Sequence, residues 1–286
     1  MYAEQVYDIA KTKELILSFF SKESPYYTIL FSKAFEFADN GPHKDNHYHN
    51  TYHHYAVAKM CVIYMTHNFT GVPRKAYGEP IDIVDQAAIF IAALLHDYSH
   101  SGKSIKLIPD SINIANAISG LDKLEKSLTD KMEFHGFGAA FFRQTYSQIF
   151  ELAEAAIRST EVSIDENGKL SFQDVTSYLT GILRDSDVTA AMNEYSIKEV
   201  MRQGALFSPG VYYSFIKAQE VSRGLAMEMG VPFNEDFEDR NLEFYSSVKL
   251  HTIAAERYRE VELDWIKKTH VKGVTFDNGI LQSNVS

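Results

Sequence analysis

Residues 89–100 read Ile89-Phe90-Ile91-Ala92-Ala93-Leu94-Leu95-His96-Asp97-Tyr98-Ser99-His100. This apolar, helix-favouring run ends abruptly at an imidazole and a carboxylate, and another histidine follows one turn later. Because a helix has about 3.6 residues per turn, His96 and His100 share a face and Asp97 lies about a quarter-turn from them. A cation near this helix end could take a nitrogen from His96 and an oxygen from Asp97. The alternative is a buried, hydrogen-bonded His–Asp pair without a metal.

Histidines are concentrated in a second stretch, where five of the eleven lie between His43 and His54. His49 and His53 are four residues apart, so on a helix they point the same way. This spacing is typical of a metal-binding pair, although a histidine-rich loop without a role is the alternative.

Acidic residues interrupt an apolar helical pattern farther along, in Gly181-Ile182-Leu183-Arg184-Asp185-Ser186-Asp187-Val188-Thr189-Ala190. A carboxylate at a core-facing position must be paired or bound to a metal; the alternative is a helix N-cap or a salt bridge with Arg184. His53, His96, Asp97 and Asp187 together offer two nitrogens and two oxygens without sulfur. Such a set suits Zn²⁺ or iron and leaves coordination positions open for water.

The composition limits the classes of protein and partner that fit. The chain has 286 residues, 45% of them hydrophobic, a net charge of −10 and one cysteine. It can bury a large core, and a single cysteine cannot form an internal disulfide. Because there is no basic cluster, we expect no nucleic-acid partner. Without a signal-like N-terminus or a membrane-length apolar run, we expect a cytoplasmic protein without membrane contact.

Helical periodicity dominates the chain, so we predict one all-α domain over residues 1–286. Two short amphipathic helices are expected in residues 1–40, and further helices from His47 to about Phe69 and from about Ile81. We interpret residues 103–128 as a polar, weakly patterned stretch. Helices are then expected at 130–160, 171–192, 208–229 and 235–270, the last bent near Ser246-Ser247, with a frayed final dozen residues. We find no strand-period run long enough for a sheet.

These motifs resemble the HD-domain metal-dependent phosphohydrolases, and in detail the catalytic domain of class I 3′,5′-cyclic-nucleotide phosphodiesterases. Two family motifs are closely matched, by Tyr48-His49-Asn50-Thr51-Tyr52-His53-His54 and by His96-Asp97-Tyr98-Ser99-His100-Ser101-Gly102. Three others are matched more loosely, by Met132-Glu133-Phe134-His135, Ser159-Thr160-Glu161 and Ser186-Asp187-Val188-Thr189. The matches keep the family's order over residues 48–190. The resemblance implies a multi-helix bundle with its metal site within about 47–190 and C-terminal helices, 208–270, closing the pocket.

The resemblance also implies a two-metal site that includes the catalytic carboxylates. The tight metal, zinc or iron, would be held by His53, His96, Asp97 and Asp187. Asp97 would bridge to a second ion, Mg²⁺ or Mn²⁺. Side chains around the ions would order water or make secondary contacts: Tyr48, His100, Glu133, His135 and Thr160. Two cations make a bridging hydroxide available near neutral pH, and His49 would protonate the leaving alkoxide.

Substrate recognition departs from the family's pattern. Asparagines expected from two of its motifs fall at Ile105 and Ala190. If Phe215 is the residue that stacks on the base, the purine-reading glutamine is replaced by Tyr212. A phenol cannot reproduce the paired donor and acceptor of an amide, so we expect weak discrimination between adenine and guanine. Gln203 or Gln219 could serve instead, and ordinary helix packing is the other interpretation of this aromatic cluster.

The sequence therefore predicts a metal-dependent phosphodiesterase that hydrolyses a cyclic nucleotide, cAMP or cGMP, to the 5′-monophosphate. One alternative is another HD-type phosphohydrolase with a pocket that does not select purines. A second is an HD-type di-iron oxygenase, in which His100 or His135 would ligate the second metal. A third is a catalytically idle HD fold used for binding. The sequence leaves the oligomeric state open.

Overall fold

The computed structural model describes residues 9–66, 81–134, 139–164, 170–173, 175, 177–190, 223–269, 274–277 and 280–283. Helices dominate this part of the chain: α1 (Ile9–Phe19), α2 (Pro25–Asn40), α3 (Thr51–Thr66), α4 (Ile83–Leu95), α5 (Asp110–Phe134), α6 (Ala139–Arg158), α7 (Tyr178–Ala190), α8 (residues 223–229), α9 (Glu235–Ser247) and α10 (Ile253–Thr269). Two antiparallel hairpins accompany them: β1 (Val162–Ile164) with β2 (Leu170–Phe172), and β3 (Val274–Asp277) with β4 (Ile280–Ser283). The all-α class is confirmed in the sense that the described structure is mostly helical.

Two helices form the centre of the molecule. Every residue of α3 from His53 to Tyr64 is buried, and so is almost all of α4. A helix that is apolar on all sides belongs in a core, because it has no face that favours water. α3 packs against α4 and α7, and α4 also packs against α6. One contiguous apolar cluster results, running from Ile16 to Tyr258.

Side-chain caps fix where these central helices begin. Asp82 and Asp85 form a reciprocal capping box at the start of α4. Asn50 caps the start of α3, because its Oδ1 accepts hydrogen bonds from the backbone N–H groups of Tyr52 and His53. Its Nδ2 also donates to the carbonyls of Asn46 and His47. A cap satisfies N–H groups that a helix leaves free, so α3 starts at a defined residue with His53 in its first turn.

The prediction for residues 103–158 was wrong in one respect. Most of the stretch interpreted as weakly patterned lies in α5, a helix of 25 residues from Asp110 to Phe134. Its inward positions are apolar and buried at alternating spacings of three and four: Ile114, Ala117, Leu121, Leu124 and Leu128. The helix predicted over 130–160 is the end of α5 and all of α6, with 135–138 outside the described residues.

Three further predictions are corrected by local structure. Residues 162–172, expected to connect two helices and to begin the second, contribute the strands of the first hairpin, with Val162 opposite Phe172. The final residues, expected to be frayed, include β3 and β4. The helix predicted over 235–270 is two helices, α9 and α10, because Val248 leaves helical geometry and Thr252 starts a new cap. No described helix is both long and apolar enough to cross a membrane.

Candidate metal centre

Four ligand-type side chains converge from three helices. His53 lies in the first turn of α3, His96 and Asp97 directly follow α4, and Asp187 lies in α7. His96 Nε2 is 3.0 Å from Asp97 Oδ2 and 3.3 Å from His53 Nε2, and His53 Nε2 is 3.1 Å from Asp187 Oδ1. His53, His96 and Asp187 each offer a ligand atom within 4.8 Å of the others. The structure thus brings together all four residues that the sequence predicts as metal ligands.

The hydrogen bonding around this group suits a cation. His96 Nδ1 lies 2.9 Å from the Ala93 carbonyl, a contact that requires a proton on Nδ1, so Nε2 is the nitrogen that faces the other ligands. Asp97 Oδ2 is buried and makes no hydrogen bond, although both imidazoles face it. Buried acceptors without donors are costly, and a divalent metal is the partner that satisfies several at once. The cluster can therefore hold a metal ion, although its geometry does not identify the element.

The charges of the cluster depend strongly on one another. Burial opposes the charged form of His96, but Asp97 and Asp187 outweigh it and hold its pKa well above the ordinary value. Burial also opposes ionisation of the two carboxyl groups, yet the histidines hold the pKa values of Asp97 and Asp187 below the usual range. Without a metal, these shifts favour a proton on His96 beside ionised carboxylates. Metal binding must displace this proton, so it should be weaker at low pH.

An imidazole–carboxylate pair lies beside this cluster. His49 Nδ1 is 2.5 Å from Glu228 Oε2, while Glu228 Oε1 accepts hydrogen bonds from the backbone N–H groups of Tyr48 and His49. The His49 ring centroid is 5.6 Å from that of His53. Burial opposes charge on His49, but Asp97 and Glu228 outweigh it and raise its pKa. His49 is therefore a partly exposed imidazole whose protonated form is favoured, next to a candidate metal ligand.

The His100 ring stacks on the His49 ring, but its pKa is shifted in the opposite direction. The two rings stack with centroids 3.7 Å apart and planes 29° from parallel. The backbone N–H of Gly102 faces His100 Nδ1 at 3.0 Å, and the Asn113 amide nitrogen faces Nε2 at 2.9 Å. Burial lowers the pKa of His100 to about 4. Neither contact accommodates a second proton on the ring, so His100 is neutral, and its single lone pair accepts from only one of these two donors.

Glycines allow the chain to make these contacts. A Cβ on Gly224 would overlap the carbonyl oxygen of His47, so only glycine lets α8 approach the loop that carries His49. Gly102 has a φ of +64°, the left-handed region, and a Cβ there would lie 2.7 Å from Asn46 Oδ1. Asn46 in turn donates to the carbonyls of His49 and His100 and thus ties the two loops together.

The other predicted site residues have different outcomes. Tyr48 is buried with its ring centroid 4.6 Å from that of His53. Thr160 is buried and donates its hydroxyl to the Ile157 carbonyl. Glu133 lies in the last turn of α5, but its side chain is outside the described residues. His135, Tyr212, Phe215 and the glutamines 203 and 219 also lie outside the described residues.

Asp185 and Arg184 have partners away from the candidate ligands. The Asp185 carboxylate accepts hydrogen bonds from the backbone N–H groups of His251 and Thr252 and from the Thr252 hydroxyl. Asp185 is therefore neither an N-cap nor paired with Arg184, and its contacts join α7 to the residues that precede α10. The Arg184 guanidinium donates to the Gln173 carbonyl and lies 4.2 Å from the Phe172 ring centroid.

Two residues of the site were not predicted from the sequence, Glu228 and Asn113. Glu228 is 179 positions from His49 in the chain, and its only sequence signal is an acidic residue among the apolar neighbours Ala226, Met227 and Met229. Asn113 supplies an amide near the turn that carries His96, Asp97 and His100, called the HD turn below. It lies eight positions after Ile105, the position at which the resemblance predicts an asparagine. Comparison with protein-family models and with curated proteins finds no match to this chain.

Proposed function

We propose that this chain is an HD-domain-like, metal-dependent phosphodiesterase and that a 3′,5′-cyclic nucleotide is its substrate. The observation that carries the proposal is the convergence of His53, His96, Asp97 and Asp187, with Asp97 Oδ2 unsatisfied, beside the His49–Glu228 pair. A buried group of acceptors next to a charged imidazole combines the two requirements of phosphoester cleavage: a place for a cation and a proton for the leaving oxygen.

The four ligands would hold the tight metal, zinc or iron, and Asp97 would extend to a second ion, Mg²⁺ or Mn²⁺. Bound divalent metals would acidify a water molecule and neutralise charge on the phosphate. The remaining work belongs to the protein. Glu228 holds His49 through Nδ1, which leaves Nε2 as the nitrogen that can donate to the leaving oxygen. When the oxygen takes that proton, Glu228 keeps the resulting neutral imidazole oriented.

The di-iron oxygenase alternative would require His100 or His135 as a further metal ligand. His49, His100 and Glu228 do lie close enough to offer one atom each to an ion. However, both His100 nitrogens already face N–H donors, and stacked rings point their lone pairs along parallel planes and not toward a common centre. The 2.5 Å contact between His49 and Glu228 is that of a charge-assisted hydrogen bond. These contacts favour an acid–base group over a metal site.

The test is a screen of cyclic and linear nucleotides with Mn²⁺, Mg²⁺ and Zn²⁺, scored by the identity of the product. We expect a 3′,5′-cyclic nucleotide to give its 5′-monophosphate only when metal is present. Turnover of a different phosphodiester by the metal-loaded protein would instead support the HD-type phosphohydrolase alternative. Oxygen uptake with Fe²⁺ and no phosphoester cleavage would overturn the proposal in favour of an oxygenase.

A further inference from the structure

Asn113 is buried, only 1% exposed, and all three of its described polar contacts fix the direction of its amide. Its Oδ1 accepts a hydrogen bond from the Ser101 backbone N–H at 3.1 Å. A backbone N–H can only donate, so this contact identifies the oxygen side of the amide. The Nδ2 side then faces His100 Nε2 at 2.9 Å and Asp110 Oδ1 at 3.3 Å.

Asp110 accepts a hydrogen bond from the Asn113 amide and is itself fixed by a second contact. Its Oδ2 accepts a hydrogen bond of 2.7 Å from the Val162 backbone N–H, at the first strand of the hairpin. Asp110 and Asn113 are three residues apart on α5, so the two side chains lie on the same face of the helix. A continuous set of contacts therefore runs from β1 through Asp110 and Asn113 to the His100 ring.

We propose that Asn113 is a positioning residue for the proton donor His49. It acts through His100, whose ring forms the surface on which His49 stacks at 3.7 Å. In the tautomer that carries its proton on Nδ1, the Nε2 lone pair of His100 accepts the Asn113 N–H, so rotation of the ring about its bond to Cβ would break this hydrogen bond. The His49 ring is then confined between His100 and Glu228. This inference deepens the proposed function and rests on it.

The proposal also gives a reason for a departure in the sequence. The asparagine expected at position 105 is an isoleucine, and Ile105 lines a surface cleft with Pro109, Asp110 and Val162. An amide is nevertheless supplied to the HD turn, from the first turns of α5. A displacement of a reacting group by about 1 Å can cost about 100-fold in rate, so an amide that only aims another ring can matter for turnover.

The test compares Asn113→Asp and Asn113→Leu in the zinc-loaded and magnesium-loaded protein. Asn113→Asp keeps an acceptor for Ser101 but removes the N–H that faces His100, whereas Asn113→Leu removes both contacts. Asn116→Leu is the matched control, because its amide comes from the same helix and donates to the neighbouring Ser99 carbonyl. We expect kcat for a substrate with an alkyl leaving group to fall by about 10- to 100-fold in either Asn113 variant, with KM and metal content little changed. Asn116→Leu should keep a kcat close to that of wild type.

A double-mutant comparison separates positioning from general damage. If Asn113 acts through His49, Asn113→Asp should cost less than about threefold in the His49→Ala background, because the group it positions is gone. An equal cost in both backgrounds would overturn the proposal. So would an equal cost for an alkyl ester and a nitrophenyl ester, since the latter needs little protonation.

A measurement without turnover keeps this inference distinct from the proposed function. The His49 ring proton Hε1, assigned by its loss in His49→Ala, should show a ring-current shift from the stacked His100 in the NMR spectrum of the zinc-loaded protein. We expect Asn113→Asp to move that resonance and Asn116→Leu to leave it in place. An unmoved resonance would refute the positioning role. A moved resonance in a protein without phosphodiesterase activity would support the positioning and sink the proposed function.

Discussion

Replacing Glu228 with glutamine should remove the partner of the proton donor without disturbing the loop that carries it. The two carboxylate oxygens have separate tasks: Oε1 accepts from the Tyr48 backbone N–H at 2.7 Å, and Oε2 contacts His49 Nδ1 at 2.5 Å. In Glu228→Gln the amide oxygen can keep the first contact, while an uncharged NH₂ group faces the imidazole. The change is therefore directed at the charge next to His49.

The size of the effect follows from the hydrogen bond that is lost. Hydrogen bonds to charged groups contribute about 1.5–3 kcal/mol, and each 1.4 kcal/mol is a factor of ten in rate. We expect kcat for a substrate with an alkoxide leaving group to fall by about 10- to 100-fold near neutral pH. A nitrophenyl phosphodiester should be largely spared, and metal content should not change.

The pH dependence of activity tests the direction in which Glu228 shifts the pKa of His49. Asp97 and Glu228 raise the pKa of His49 against the opposing effect of burial, so the protonated acid persists to higher pH than in a free histidine. A metal at the four-ligand cluster would offset the charge of Asp97 and leave Glu228 as the principal partner. Activity should fall as pH rises through the His49 pKa, and in Glu228→Gln this alkaline limb should move to lower pH.

The assay is a pH–rate profile of wild type, Glu228→Gln and a control variant, each measured on an alkyl ester and on a nitrophenyl ester. Glu256→Gln is a suitable control, because that carboxylate pairs with Arg259 at the surface. Loss of metal from Glu228→Gln, or an equal loss of activity on both esters at every pH, would refute the assignment of His49 as the acid.

Three further changes test other parts of the structure. Asp187→Ala should abolish tight metal binding. With metal at 100 times its Kd, wild type should gain about 2.7 kcal/mol in unfolding free energy, and the variant should not. Full metal content in the variant by elemental analysis would contradict this. Asp185→Asn should lower the unfolding free energy by about 2–3 kcal/mol, because an amide keeps only one acceptor oxygen and turns an NH₂ group toward the donors of His251 and Thr252. An unchanged urea midpoint would contradict this. Gly224→Ala should push α8 away from His47 and reduce activity on alkyl esters, and a crystal structure with the His49–Glu228 contact intact would disprove that reasoning.

The candidate ligands could be predicted because their signals are local. His49 and His53 are separated by one helical turn, and His96 and Asp97 end an apolar helix, so the chemistry is visible within a few residues. Glu228 gives no such signal, because its role depends on the packing of α8 against a loop 179 positions away. Asn113 is similar: its position near His100 depends on how α5 turns after the HD turn. Contacts that tertiary packing creates cannot be recovered from spacing along the chain.

For two of the secondary-structure errors, the sequence did contain the signal. The apolar residues of α5 repeat at alternating spacings of three and four from Ile114 to Leu128, which indicates a helix with one buried face. The charged residues between them lowered the average hydropathy and obscured that period. In the first hairpin, Val162-Ser163-Ile164 and Leu170-Ser171-Phe172 alternate apolar and polar residues, and the sequence between them contains Asn167-Gly168, a typical hairpin signal.

The position of the candidate ligands in the core has an energetic reason. Converging acceptors are unfavourable without a cation, so the elements that carry them must be held by other interactions. His96 follows α4, in which every residue from Ala87 to Leu95 is buried, and His53 begins the run of buried residues in α3. Apolar packing on all sides of these helices offsets the cost of bringing the acceptors together. Because the helices are fixed by that packing, and Asn50 fixes the first turn of α3, a metal ion would meet candidate ligands that are already oriented.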